Sequence, residues 1–197
     1  MKRRIFNSVL AGLGLSLGEG GVRAAGAATP ARVESFILHP NRWVPNNSVL
    51  PVILYRNALP TGGDDPAAAF EELFQKNGWP PQWRNGVYSF HHYHTLGHEV
   101  LGFSKGTAKL MLGGPGAREV DVQAGDIALL PAGIGHMNLE SDAAFEVVGA
   151  YPPGQEFDIV RQKPDAAQRL RLESLPFPAS DPVEGAGGSL SKLWKYQ

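Results

Sequence analysis

Between His91 and Glu99 this chain places four of its six histidines and a glutamate within nine residues. Imidazole nitrogens and a carboxylate this close together are a donor set for a metal ion or for proton transfer. In an extended segment His92 and His94, two apart, point to one face, while His91 and Tyr93 point to the other. After a turn at Thr95-Leu96-Gly97, Glu99 opens the next strand within reach of the same cavity. The Pro131-Ala132-Gly133 turn carries His136 back towards it. A His-x-His pair by itself is usually a solvated or core pair; Glu99 and His136 in register turn it into a ligand set. The expected metal ligands are therefore His92, His94, Glu99 and His136. Three imidazoles and one carboxylate leave positions open on a five- or six-coordinate ion, as substrate or O₂ chemistry requires. Glu99 is also a candidate general base, and His98 and Tyr88 are the nearest further candidates for proton transfer. His91 is expected to support the site or face solvent, because strand parity aims it elsewhere. For His98 the preceding turn argues the same, against a catalytic role.

Composition narrows the chemistry. The chain has no cysteine, which excludes disulfides, thiolate metal sites and cysteine nucleophiles. Nitrogen and oxygen donors suit one divalent transition metal: iron, manganese, nickel, copper or zinc. A net charge of −1 and the lack of a basic run beyond the first residues argue against a nucleic-acid partner. No phosphate-binding glycine loop, dinucleotide fingerprint or serine nucleophile elbow is present. A small molecule is the expected partner.

The elements that must hold these side chains are short. At 197 residues one well-cored domain is expected, and 24 Gly with 16 Pro favour strands and turns over long helices. Strands are read at Val33–Leu38, Leu50–Tyr55, His98–Phe103, Ala108–Leu112, Glu119–Val122, Ile127–Leu130 and Phe145–Ala150. A helix follows Asp65 as N-cap with Pro66 at N1, runs to Lys76 and stops at Asn77-Gly78. Phe70, Leu73 and Phe74 mark its apolar face. A second helix is read over Asp165–Ser174, and the Pro/Ser/Gly-rich tail beyond it as an extended or partly disordered arm. Closely spaced short strands point to a sandwich or barrel. The tryptophans and Tyr88 are expected in packing or dimer contacts, with lining of the pocket mouth as the alternative.

These residues closely resemble the two motifs of the cupin superfamily. Gly86, His92, His94, Glu99 and Gly106 meet every position of the first motif. Gly125, Pro131, Gly133 and His136 meet the second, whose final asparagine position holds Glu140, with Asn138 two places early. The motif core is 86–140. Its flanks, Trp79–Gly86 and Val147–Gly154, resemble a subgroup of small single-domain bacterial cupins, the YjlB-like proteins. The resemblance implies an all-β double-stranded β-helix, or jelly roll, with the metal inside the barrel, short flanking helices, extended terminal arms and a homodimer. Dioxygenase chemistry is the commonest association of this ligand set, with isomerase or decarboxylase action behind it. Non-catalytic capture of a small ligand or metal uses the same four residues.

Residues 1–27 read as a signal peptide: Lys2-Arg3-Arg4, a modest apolar run from Ile5 to Leu17, and Ala25-Gly26-Ala27 as cleavage site. Arg3-Arg4-Ile5-Phe6 resembles a twin-arginine export signal, with Lys2 and Asn7-Ser8 as departures. The apolar run is too short to span a bilayer. Losing four of 18 basic and one of 19 acidic residues leaves the mature chain mildly acidic. The expected organisation is a leader over 1–27, a cupin domain over 28–160 and a C-terminal helix and tail over 161–197. The expected location is the periplasm or the exterior, free of membrane once cleaved.

Overall fold

Residues 32–195 are described by a computed structural model of the chain; the expected leader and its export route lie outside the described residues. Nine strands form two antiparallel sheets. Six run in the order β1 (Arg32–Leu38), β2 (Asn47–Arg56), β7 (Ile127–Leu130), β4 (Glu99–Lys105), β9 (Glu146–Ala150) and β3 (Pro81–Asn85). Three more run β6 (Arg118–Gln123), β5 (Thr107–Leu112) and β8 (His136–Ser141). The two sheets face each other as the expected jelly roll. Among the described residues no helix is long and apolar enough to cross a membrane.

The two-residue period of the strands divides the core in two. Val52, Leu54, Leu101, Phe103, Ala128, Leu130 and Val147 turn into the barrel, against Leu110, Leu112, Val120 and Val122 of the small sheet. Their sequence neighbours Ile53, Tyr55, Val100, Ile127, Leu129 and Val148 turn outward. That outer face is covered by α1 (Pro66–Lys76), through Ala67, Phe70 and Phe74, and by Leu190 and Trp194 of the tail. Strands buried on both faces read as continuous apolar runs, which is why the alternation is faint in β2 and β7.

Gly102 marks where α1 crosses β4. A Cβ there would fall 2.4 Å from Phe70 Cδ1, and Phe70 is fully buried. Gly102→Ala is therefore expected to cost about 1–3 kcal/mol by overpacking, read as a lower urea midpoint at unchanged slope.

Several local expectations change. Two strands were not legible. β3 carries Pro81 and pairs with β9 alone, and an edge strand tolerates proline. β8 is His-Met-Asn-Leu-Glu-Ser, poor in β-branched residues, and its pairing with β5 shifts register between Lys109 and Leu110. Leu110 there faces Asn138 and Lys109 faces Glu140. Asp65 occupies the N-cap of α1, yet its carboxylate makes no cap bond. Arg84 takes it instead, at 2.9 and 3.0 Å, while also gripping Glu71. Asp165 does cap α2 (Ala166–Ser174), in a capping box with Gln168.

The tail after α2 is docked rather than loose, and ends in α3 (Ser189–Leu193). Trp194 is buried in the outer core, with its indole N–H on the Pro51 carbonyl at 2.9 Å.

Candidate metal centre

Residues 91–94 were expected as a strand, and they form only isolated bridges: His92 with His136, and Tyr93 with Val160. The parity still holds. Tyr93 packs outward with Val44 and Val160, while His92 and His94 face inward. His92 N–H donates to the His136 carbonyl at 3.2 Å and His136 N–H to that of His92 at 2.9 Å. This reciprocal pair ties the two histidine segments together.

All three imidazoles are oriented from behind. A carbonyl can only accept, so each Nδ1 facing one must carry the proton and leave Nε2 with a lone pair. His92 Nδ1 donates to Phe90 O and His136 Nδ1 to Ile134 O, both at 3.1 Å. His94 Nδ1 donates to Asp158 O. Asp158 is itself pinned, its carboxylate accepting from Thr95 N and Thr95 Oγ1. One nitrogen from each of His92, His94 and His136 lies within 4.8 Å of the others.

Glu99 completes the cluster at the start of β4. Its Oε2 stands 3.3 Å from His94 Nε2 and 3.4 Å from His136 Nε2, without a well-aligned hydrogen-bond donor. Lone pairs of imidazole and carboxylate converging in a buried site repel unless a cation lies among them. A metal ion is the cation this donor set fits.

Titration behaviour agrees with that geometry. Burial, reinforced by the neighbouring imidazoles, lowers His92 to about 2. Burial lowers His136 to about 4, against the pull of Glu99. For His94 burial also acts downward, but the adjacent Glu99 carboxylate outweighs it and the pKa is raised. Burial would raise Glu99, yet the adjacent His94 ring, then His136 and the hydrogen bond from the Tyr151 hydroxyl, hold it down at about 2.

Sequence reasoning missed Tyr151. It is 1% exposed, its hydroxyl donates to Glu99 Oε1, and Trp83 Nε1 donates to that hydroxyl at 3.2 Å. Burial and then Glu99 raise the Tyr151 pKa, so the phenol stays protonated and serves as a fixed donor. The signal was available: two-residue alternation from the inward Val147 reaches Tyr151. Trp83, read as a packing residue, and Phe157 also line the pocket, which has a volume of about 220 Å³.

Tyr88 is brought to this pocket, at its mouth, 45% exposed and stacked on Phe90 at 4.8 Å. His98 is not. Next to Glu99 in the chain, it points to the opposite face of β4, where its ring lies 4.7 Å from Trp194. Its Nδ1 accepts from Ala132 N at 3.0 Å. That position takes His98 out of any proton transfer in the metal pocket. His91 is half-buried outside the pocket.

Known proteins were compared with this chain. It is 33% identical over 153 residues to the YjlB protein of Bacillus subtilis (strain 168), a match covering 77% of this chain and 90% of that protein. No protein-family model matches. Among solved structures, the DMSP lyase DddQ from Ruegeria pomeroyi DSS-3 is similar at 16% identity and a TM-score of 0.32. That match covers 74% of this chain and 58% of the lyase. Streptomyces albus HEPD, with 2-hydroxyethylphosphonate and Fe(II) bound, is similar at 12% identity and a TM-score of 0.25, over 76% of this chain and 28% of HEPD.

Proposed function

Because this chain belongs to the YjlB family of cupins, we propose that it is a mononuclear metalloprotein acting on a small molecule by dioxygenase-type chemistry. The observation that carries this reading is the cluster of three oriented imidazoles, two of which, His94 and His136, stand 3.3 and 3.4 Å from an unpartnered Glu99 oxygen. His92, His94, Glu99 and His136 would hold one divalent transition metal, which when bound supplies a Lewis-acidic, redox-capable centre. The chain's own residues do the rest. The Tyr151 hydroxyl keeps Glu99 ionised and aimed, and Trp83 fixes that hydroxyl in turn. Leu101, Val87, Phe157 and Tyr88 wall the pocket and limit water around a bound substrate. The small volume favours a compact substrate with substantial apolar surface. Export belongs to the same reading, supported by the leader pattern of residues 1–27, and a homodimer is supported by the resemblance to cupins.

Elemental analysis of the protein purified from its native compartment, followed by an O₂-consumption screen, tests the reading. Stoichiometric iron or another redox-active metal with substrate-dependent O₂ uptake is expected. Redox-silent zinc with tight retention of a small ligand and no turnover would replace the enzyme with a binding protein.

Tyr151→Phe removes the donor to Glu99 and leaves the pocket shape unchanged. Loss of such an outer partner is expected to weaken metal binding by about 10- to 100-fold, measured by competition with a chelator. An unchanged affinity would show that Tyr151 does not support Glu99 as a ligand.

A further inference from the structure

A second concavity lies away from the metal pocket, on the outer side of the barrel between residues 40–50 and α2. It has a volume of about 640 Å³, within the range of small-molecule sites. Its first wall is rigid. Asn46, 7% exposed, donates to the carbonyls of His39 at 2.7 Å and Gly113 at 2.9 Å, and accepts from Gly135 N at 3.1 Å. The opposite wall is α2, none of whose nine residues is buried, although its capping box holds the helix in register. Leu172 reaches across to the turn at Gly133, where an added Cβ would meet its Cδ2 at 3.3 Å. The helix therefore stands over the groove with its apolar side only partly covered.

The charges in this groove lack partners. Arg42, Lys163 and Arg169 all line it, and none of the three makes an ion pair among the described residues. Glu173 is the one carboxylate in the lining, so the balance is cationic. Val49, 43% exposed, and the half-buried Trp43 and Leu172 supply apolar surface beside these cations. His98 stands on the same lining and keeps a buried N–H at Nε2 without an acceptor. Three exposed cations without ion-pair partners beside an apolar wall are complementary to an anion carrying a hydrocarbon body.

We propose that this groove is a second ligand site, distinct from the metal pocket, that takes an amphipathic carboxylate, its hydrocarbon body along Trp43, Val49 and Leu172 and its carboxylate on Arg42, Lys163 and Arg169. No residue lines both this groove and the metal pocket.

Octanoate is the probe, titrated calorimetrically into the purified full chain, with acetate and 1-octanol as comparators. One saturable octanoate site per chain is expected, with acetate and 1-octanol each at least tenfold weaker. The R42E/R169E variant is expected to lose at least tenfold in octanoate affinity, while H92A/H94A binds octanoate as the parent does. Absence of saturable binding, or equal binding by R42E/R169E, overturns the proposal. Loss of octanoate binding in H92A/H94A overturns it too, by moving the carboxylate to the metal pocket. If R42E/R169E breaks a dimer that octanoate does not disturb, the groove is an interface between copies and the ligand site is refuted.

Discussion

Replacing His92 and His94 together with alanine is expected to abolish stoichiometric metal binding. Each supplies a neutral imidazole nitrogen to the cluster, and each is oriented through Nδ1 by a backbone carbonyl. Removing an outer partner of a ligand typically costs 10- to 100-fold in affinity, so removing two ligands outright is expected to cost on the order of a thousandfold or more. Two readouts separate this from simple unfolding. Elemental analysis of the purified variant gives less than a tenth of the parent's metal. Added metal raises the melting temperature of the parent and leaves that of the variant unchanged, because only a protein that binds the ion in its native state is stabilised by it. A variant that retains full stoichiometric metal would remove His92 and His94 from the ligand set.

Asp181→Ala is expected to be the most destabilising single substitution outside the barrel. Asp181 is fully buried and accepts four hydrogen bonds. They come from Tyr55 Oη at 2.5 Å, Val183 N at 2.8 Å, Glu184 N at 2.9 Å and Leu190 N at 2.8 Å. The residue thus fastens the tail, and through it Leu190 and Trp194, to the outer face of β2. Burial and then the adjacent Asp181 raise the Tyr55 pKa, so the phenol remains a donor. Alanine leaves all four donors without an acceptor. At about 1–3 kcal/mol for each buried unsatisfied group, partly relieved by entering water, a net loss of about 4 kcal/mol is expected. Urea unfolding measures the loss, and limited proteolysis should show earlier cleavage between residues 175 and 195. Asp181→Asn keeps an acceptor oxygen and should lose about half as much. An Asp181→Ala variant within about 1 kcal/mol of the parent would mean that the tail is held by its apolar contacts and its other hydrogen bonds, such as that of Trp194 to Pro51.

Most barrel strands and the shared inward face of His92 and His94 were legible for one reason: both depend on local spacing. Strand parity placed His92 and His94 on one face, the turn at Thr95-Leu96-Gly97 brought Glu99 to the next strand, and the punctuation by Gly and Pro bounded β5, β6 and β7. Where the local pattern was weak, the reading failed. β8 has no β-branched residue, and β3 begins at a proline, so partners far along the chain make them strands. The tail gave the opposite error. Its Pro, Ser and Gly content matches that of a loose arm, and four hydrogen bonds to one buried aspartate outweigh the composition.

The sequence by itself determined the donor types, their spacing and the side of each strand on which they fall, because these follow from a two-residue period. Tertiary structure alone decided what surrounds them. It brought Tyr151 and Trp83 behind Glu99, turned His98 away under Trp194, and set three unpaired cations around a groove beneath α2. Those contacts join residues tens of positions apart. Their formation depends on how two sheets and a tail pack, which no short window of sequence encodes.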